Sequence, residues 1–210
     1  MSQKKSEWKP VTDLMEGGRE VALGSHRSSW FKGSWRRALC FLAYYKFAAK
    51  MIGREKRVLD IGCGDGLGTW ILAKECGFAK GIDQDRTAIT LAQKSWSDQK
   101  TDFECTGLLR SHPEPWNALV QLNVEGRFLT TERASFFSAI KRNLSHDGIA
   151  ILGISDAPGL QDVRARSNRF EKEIRRHFRH VFMFSSCDEM IHAGDLPAAD
   201  HLIAVGCRKK

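Results

Sequence analysis

The densest grouping of chemically capable residues runs from Asp60 to Gly66, where carboxylates at 60 and 65 flank Cys63 and glycines stand at 62, 64, 66 and, just beyond, 68. An apolar run over 58–61 leads into this segment and a helix-like run over 69–74 leads out of it. Strand, glycine turn and helix in that order set the unpaired N–H groups of a helix N-terminus beside main chain that carries no Cβ atoms, so a ligand can lie directly on the backbone. A second short apolar run, 79–83, ends in Asp83 with Gln84 after it. Asp83 follows Gly62 by about the twenty residues at which a βαβ unit brings a carboxylate to a ribose hydroxyl. That spacing suits a dinucleotide or an adenosyl ligand. A dinucleotide fingerprint counted from Gly62 needs glycine at 67, where this chain has Leu67, so that match fails.

A second chemical concentration lies between two apolar runs, 180–185 and 201–206, and holds Cys187, Asp188, Glu189, His192, Asp195 and His201. Acids and imidazoles of this kind can move a proton or hold a metal ion. No C-x-x-C pair and no helical i, i+4 spacing supports a metal, so none is expected. Asp188 and His192 stand as candidates for a substrate-facing acid or base, against the plainer reading of a solvated loop.

The elements that must position these groups are legible from periodicity. Leu39, Leu42, Ala43, Phe47 and Met51 form a helical stripe over 35–52 that Gly53 stops. Core packing explains the stripe, and Tyr44 or Tyr45 is close enough in sequence to reach the pocket. Asp85 is placed to cap a helix over 85–96, strands are expected over 102–106 and 116–123, and Phe136, Phe137, Ile140 and Leu144 share one face of a helix over 132–144 closed by a turn at 146–148. A strand over 149–155 follows, then a turn at 156–159. The last helix, 164–179, carries an apolar seam of Phe170, Ile174 and Phe178 with most of its arginines at the edge or outside. Residues 1–34 are polar, but Trp30 and Phe31 suggest that parts of 21–35 pack onto something.

Asp-Ile-Gly-Cys-Gly-Asp-Gly at 60–66 resembles motif I of the class I S-adenosylmethionine (SAM) dependent methyltransferases. The resemblance covers about half the chain, roughly 57–155, and extends to the closing strands only in the order of elements. It implies an α/β, Rossmann-like three-layer sandwich with a mostly parallel seven-stranded sheet ending in an antiparallel pair. It also implies an N-terminal helical extension over 1–52, a candidate lid over the cofactor, before a methyltransferase domain over 53–210. By the same resemblance SAM is the cofactor, bound by Asp60, Gly62, Cys63, Gly64, Asp65, Gly66, Asp83, Gln84, Thr106, Gly107 and Asn123. Carboxylates near the turn would repel a pyrophosphate but suit a ligand with a positive ammonium and sulfonium.

Two departures stand out. Where the family commonly ends its third strand with an acid toward the adenine amino group, this chain has Thr106 and Gly107. Where many oxygen and nitrogen methyltransferases follow the fourth strand with Asp-x-x-Glu-His, this chain has Asn123-Val124-Glu125-Gly126-Arg127. Arginine stays charged and takes no proton, so Arg127 suits gripping an anionic substrate better than acting as a base. The expected activity is SAM-dependent O- or N-methylation of a small-molecule or glycan-type acceptor. The alternatives are a catalytically degenerate SAM-binding protein and an RNA-directed methyltransferase.

Composition sets the outer bounds. A chain of 210 residues holds one sizeable α/β domain. Six cysteines without paired spacing, and no secretory signal at the start, point to reduced thiols and a cytoplasmic protein. The most apolar early stretch, 38–45, is far shorter than a membrane span requires. The net charge of +8 is concentrated in the first 57 residues and in 164–179. That makes nucleic acid an alternative partner, although a charge run is more often a solvated helix face.

Overall fold

Adjacent apolar residues such as Val58 and Leu59, Leu119 and Val120, or Ile151 and Leu152 point to opposite faces of a strand and need cover on both. The computed structural model, which describes residues 22–108, 115–123, 133–155, 163–196 and 199–210, supplies that cover. Its elements in chain order are α1 (Ser25–Gly33), α2 (Trp35–Ile52), β1 (Arg57–Ile61), α3 (Leu67–Glu75), β2 (Phe78–Asp83), α4 (Arg86–Trp96), β3 (Thr101–Cys105) and β4 (Trp116–Gln121), followed by α5 (Arg133–Asn143), β5 (Leu144–Ser155), α6 (Val163–His177), β6 (Phe178–Ser186), β7 (His192–Ala193) and β8 (His201–Lys209).

The strands form one sheet in the order β3-β2-β1-β4-β5-β8-β6-β7. β3 through β5 run parallel, and β8 lies antiparallel between β5 and β6. The expected Rossmann-like sandwich is present, with eight strands rather than seven. The extra one is β7, a two-residue strand that pairs Ala193 with Phe184 and His192 with Ser185, too short to leave a periodic signal. One face of the sheet packs against Tyr45, Ala48 and Ile52 of α2 and Leu72 and Ala73 of α3. The other packs against Phe136, Phe137 and Ile140 of α5 and Phe170 and Ile174 of α6. Each of the leucine, isoleucine and phenylalanine side chains contributes about 1.5–3 kcal/mol on burial. Among the described residues no helix is long and apolar enough to cross a membrane.

The two helix boundaries argued from single residues form as expected. Gly53, at φ 81°, ends α2 and donates its N–H to the Ala49 carbonyl at 3.0 Å. Asp85 caps α4, its Oδ1 accepting from the N–H groups of Thr87 (2.8 Å) and Ala88 (3.2 Å). Other bounds differ. β5 begins directly at Leu144, so the turn expected at 146–148 is extended strand, and Leu144 pairs with Trp116 across an irregularity in the β4–β5 ladder. Phe178 opens β6 instead of closing α6. Its ring fills the space that a Cβ on Gly206 would need, 2.7 Å away. The turn expected at 156–159 lies outside the described residues.

The sheet order reverses direction at β1, whose neighbours are β2 and β4. In an open parallel sheet the crevice beyond the C-terminal ends of such strands is where ligands bind, and the glycine turn follows β1 there.

Candidate functional site

Gly62, Gly64 and Gly66 all have positive φ, at 75°, 56° and 86°, a backbone that side chains other than glycine rarely adopt. The N–H groups of Gly62 and Cys63 both donate to the Ile82 carbonyl, at 2.8 and 3.1 Å, fastening the turn to β2. A Cβ on Gly62 would meet nothing within 4 Å, and one on Gly64 would stand 3.6 Å from Nη2 of Arg27. The turn is therefore a cradle that side chains at these positions would fill. Gly66 serves packing instead, since a Cβ there would lie 2.7 Å from the Phe103 ring. The Cys63 thiol is fully buried, and burial pushes its pKa up, so it is an inert wall.

Asp83, at the tip of β2, faces the turn. Its Oδ2 accepts from the Gly64 N–H at 2.9 Å and its Oδ1 from the Asp85 N–H at 2.9 Å. A carboxylate offers about four lone-pair positions, so two remain for ligand hydroxyls. Gln84, Thr106 and Gly107 gather beside it: the Thr106 N–H donates to the Asp83 carbonyl at 2.9 Å, and Nε2 of Gln84 stands 2.8 Å from where a Gly107 Cβ would be. The positions assigned to the adenosine half of a ligand thus form one group at the ends of β2 and β3.

Asp60 and Asp65 are used differently from one another. Asp60 is fully buried, with Oδ2 accepting from Thr69 Oγ1 at 2.7 Å and Oδ1 from the Tyr45 hydroxyl at 3.2 Å. Burial raises its pKa to about 6. Asp65 receives the Gly24 N–H at 2.8 Å and a guanidinium N–H of Arg27. It therefore docks α1 onto the glycine turn. Arg27 also lies 4.3 Å from the Phe41 ring centre, face on.

Beside the turn a cavity of about 770 Å³ opens between α1, α2 and the ends of β4, β5 and β8. Gly62 and Gly64 form its floor, Arg27, Trp30, Phe41, Tyr44 and Tyr45 one side, and Asn123, Ser155 and His201 the other. Of the residues singled out from the sequence, Gly62, Gly64 and Asn123 line it, and both tyrosines reach it. His201 stacks on Tyr44 with ring centres 4.3 Å apart. Burial, helped by nearby Arg166, lowers its pKa to about 3.

Asp188 and His192 come together with Cys187, their ligating atoms within 4.8 Å of one another. Cys187 and Asp188 stand in the loop leaving β6 and His192 opens β7, and in the loop Asp188 Oδ1 accepts the Met190 N–H at 2.8 Å. Arg36, on the cavity rim, donates to the Cys187 carbonyl and to Asp200 Oδ2 at 3.1 Å, tying this loop to α2. Gly126 and Arg127 lie outside the described residues. Sequence reasoning missed Arg27 and the role of His201. One signal pointed to the latter: Gly153 interrupts an apolar strand, which marks a close approach, and a Cβ there would stand 2.5 Å from His201 Nε2.

No family model matches the sequence, and no curated protein matches it. Solved structures do. A TehB-like SAM-dependent methyltransferase from Corynebacterium glutamicum superposes with a TM-score of 0.60 at 18% identity, over 95% of this chain and 94% of its own. A SAM-dependent methyltransferase from Thermotoga maritima, described as a possible histamine N-methyltransferase, gives 0.65 at 14%, over 87% and 94%. An rRNA methylase from Streptococcus thermophilus gives 0.53 at 16%, over 83% and 95%. The fold of this chain is the class I methyltransferase fold.

Proposed function

We propose that this chain is a SAM-dependent methyltransferase acting on oxygen or nitrogen of a small-molecule or glycan-type acceptor. The observation that carries the reading is the open, side-chain-free floor at Gly62 and Gly64 with the Asp83 carboxylate turned toward it. Asp83 takes the ribose hydroxyls, Gln84, Thr106 and Gly107 flank the base, and the turn holds the amino acid end. Asp60 braces the turn from beneath through Thr69 and Tyr45. Within the N-terminal extension, residues 22–52 form the lid, latched by Asp65 to Arg27 and Gly24. SAM, when bound, supplies a sulfonium methyl that an acceptor lone pair displaces in line while the C–S electrons return to sulfur. Positioning of the acceptor at about 3–3.5 Å supplies much of the rate in such a reaction.

An RNA acceptor is less favoured because the basic helix α6 spends much of its charge internally. Arg175 pairs with Glu171 at 2.6 Å, and Arg176 and Arg133 share Glu173 at 2.7 and 3.5 Å. Calorimetric titration tests the central reading: SAM and its demethylated product S-adenosylhomocysteine both bind, and NAD does not. Failure of both adenosyl ligands to bind would remove it.

A further inference from the structure

The hairpin between β6 and β7 gathers three chemically different metal-ligating groups. Cys187 and Asp188 follow β6, the chain turns through the exposed Glu189 and Met190, and His192 opens β7. One sulfur, one carboxylate oxygen and one imidazole nitrogen lie within 4.8 Å of one another, and all three residues are half-buried. Among the described residues the Cys187 thiol and the His192 ring have no hydrogen-bond partner, and Asp188 engages only Oδ1, with the Met190 N–H at 2.8 Å. The three groups therefore converge without satisfying each other. Their main chain is held from several sides. Arg36 donates to the Cys187 carbonyl and the Ser186 hydroxyl to the Asp188 carbonyl. His192 pairs with Ser185, and the Gly194 N–H reaches the Met183 carbonyl at 2.8 Å. Pairing over a two-residue strand is marginal by itself, so a cross-link inside the loop would stabilise the hairpin.

We propose that Cys187, Asp188 and His192 form a zinc site with three protein ligands and one open position. The donor set selects the metal: thiolate and imidazole suit zinc, whereas magnesium and calcium require oxygen donors throughout. Zinc bonds of about 2.0–2.3 Å in a tetrahedron set neighbouring donor atoms about 3.3–3.6 Å apart, so the three groups close on an ion by small χ rotations. The Cys187 thiol gives up its proton to solvent as its sulfur bonds the metal. The spacing of these residues along the chain gave no sign of a metal, because the hairpin and not the sequence interval brings them together. Arg36 lines the cavity and holds both the Cys187 carbonyl and Asp200, so the site adjoins the cavity rim and its ion fixes the loop there. Asp188 and His192 then act as ligands and not as a free acid and base. The inference is independent of the cofactor reading, since none of the three residues is assigned to SAM.

The test uses the whole chain, freed of metal by chelator and dialysis, and titrated with Co2+ as a spectroscopic stand-in before Zn2+ is added. The parent should take up one cobalt per chain, showing the sulfur-to-cobalt charge-transfer band and the visible bands of a tetrahedral ion, and zinc should displace both. Cys187→Ser should lose the charge-transfer band. Asp188→Asn and His192→Gln should bind cobalt at least about 100-fold more weakly, because losing merely the partner of a ligand costs about 10–100-fold. Zinc should also raise the parent's thermal midpoint above its value in chelator and leave that of Cys187→Ser unchanged. Cobalt bound by the parent without the charge-transfer band, or not bound at all, overturns the inference. So does a band that persists in Cys187→Ser, or parent-like affinity in Asp188→Asn or His192→Gln, which would place the metal elsewhere on the chain.

Discussion

Replacing Asp60 with asparagine gives a pH signature that follows directly from the site. Asp60 is fully buried, and its two hydrogen bonds to Thr69 and Tyr45 do not offset the loss of water, so its pKa stands at about 6 against an ordinary 3.8. At about 1.4 kcal/mol per pH unit, that difference is on the order of 3 kcal/mol. The folded protein binds the proton more tightly than the unfolded chain, so stability falls as pH rises from 3.8 to about 6. Above that window the whole cost is present, and below it none is. Asparagine has nearly the same volume, does not titrate, and keeps one acceptor for a hydroxyl while the other hydroxyl turns to accept from its amide. Urea denaturation of parent and Asp60→Asn at several pH values from 4 to 8 isolates the effect, because other titrating groups cancel in the difference. The variant should gain on the parent by about 2–3 kcal/mol between the acid end and neutrality. A difference that stays flat with pH would refute the placement of a charged Asp60 inside the core.

Three further outcomes follow from the same geometry. Asp83→Ala should weaken S-adenosylhomocysteine binding by about 1.5–3 kcal/mol in calorimetry, the range for hydrogen bonds to a charged group, and an unchanged affinity would displace the ribose from β2. Gly66→Ala forces a Cβ to 2.7 Å from the Phe103 ring in a left-handed conformation, so its urea midpoint should drop by the equivalent of about 2 kcal/mol or more. Arg27→Ala leaves the buried Asp65 carboxylate without its cation and should cost about 3 kcal/mol. Arg27→Ala with Asp65→Ala should recover part of that loss, while hydrogen exchange speeds up over 22–33 in both.

The glycine turn, the helix stops and the two-faced strands were readable because each is local: a positive φ, a cap or an apolar doublet depends on residues within one turn of the chain. The pairing of Arg27 with Asp65, of Tyr45 with Asp60 and of Tyr44 with His201 was not, because each joins positions that only the folded sheet brings together. Helix α1 escaped notice for a related reason. Its sequence over 25–33 has no apolar stripe, and it is held by its contact with Asp65 and by the Trp30 ring against Phe41, 5.4 Å apart. β5 ran longer than expected because Leu144, read as the last apolar residue of a helix, instead pairs with Trp116 at the start of a ladder.

The place of β8 in the sheet sets an order of assembly. Residues 178–186 emerge before 201–209, yet they have almost no strand partner until the later segment slides between them and β5. The glycine floor and Asp83 can organise from the earlier parallel strands, whereas the imidazole wall arrives with the inserted strand. A partly made chain would thus gain the glycine floor first and the wall that carries His201 last.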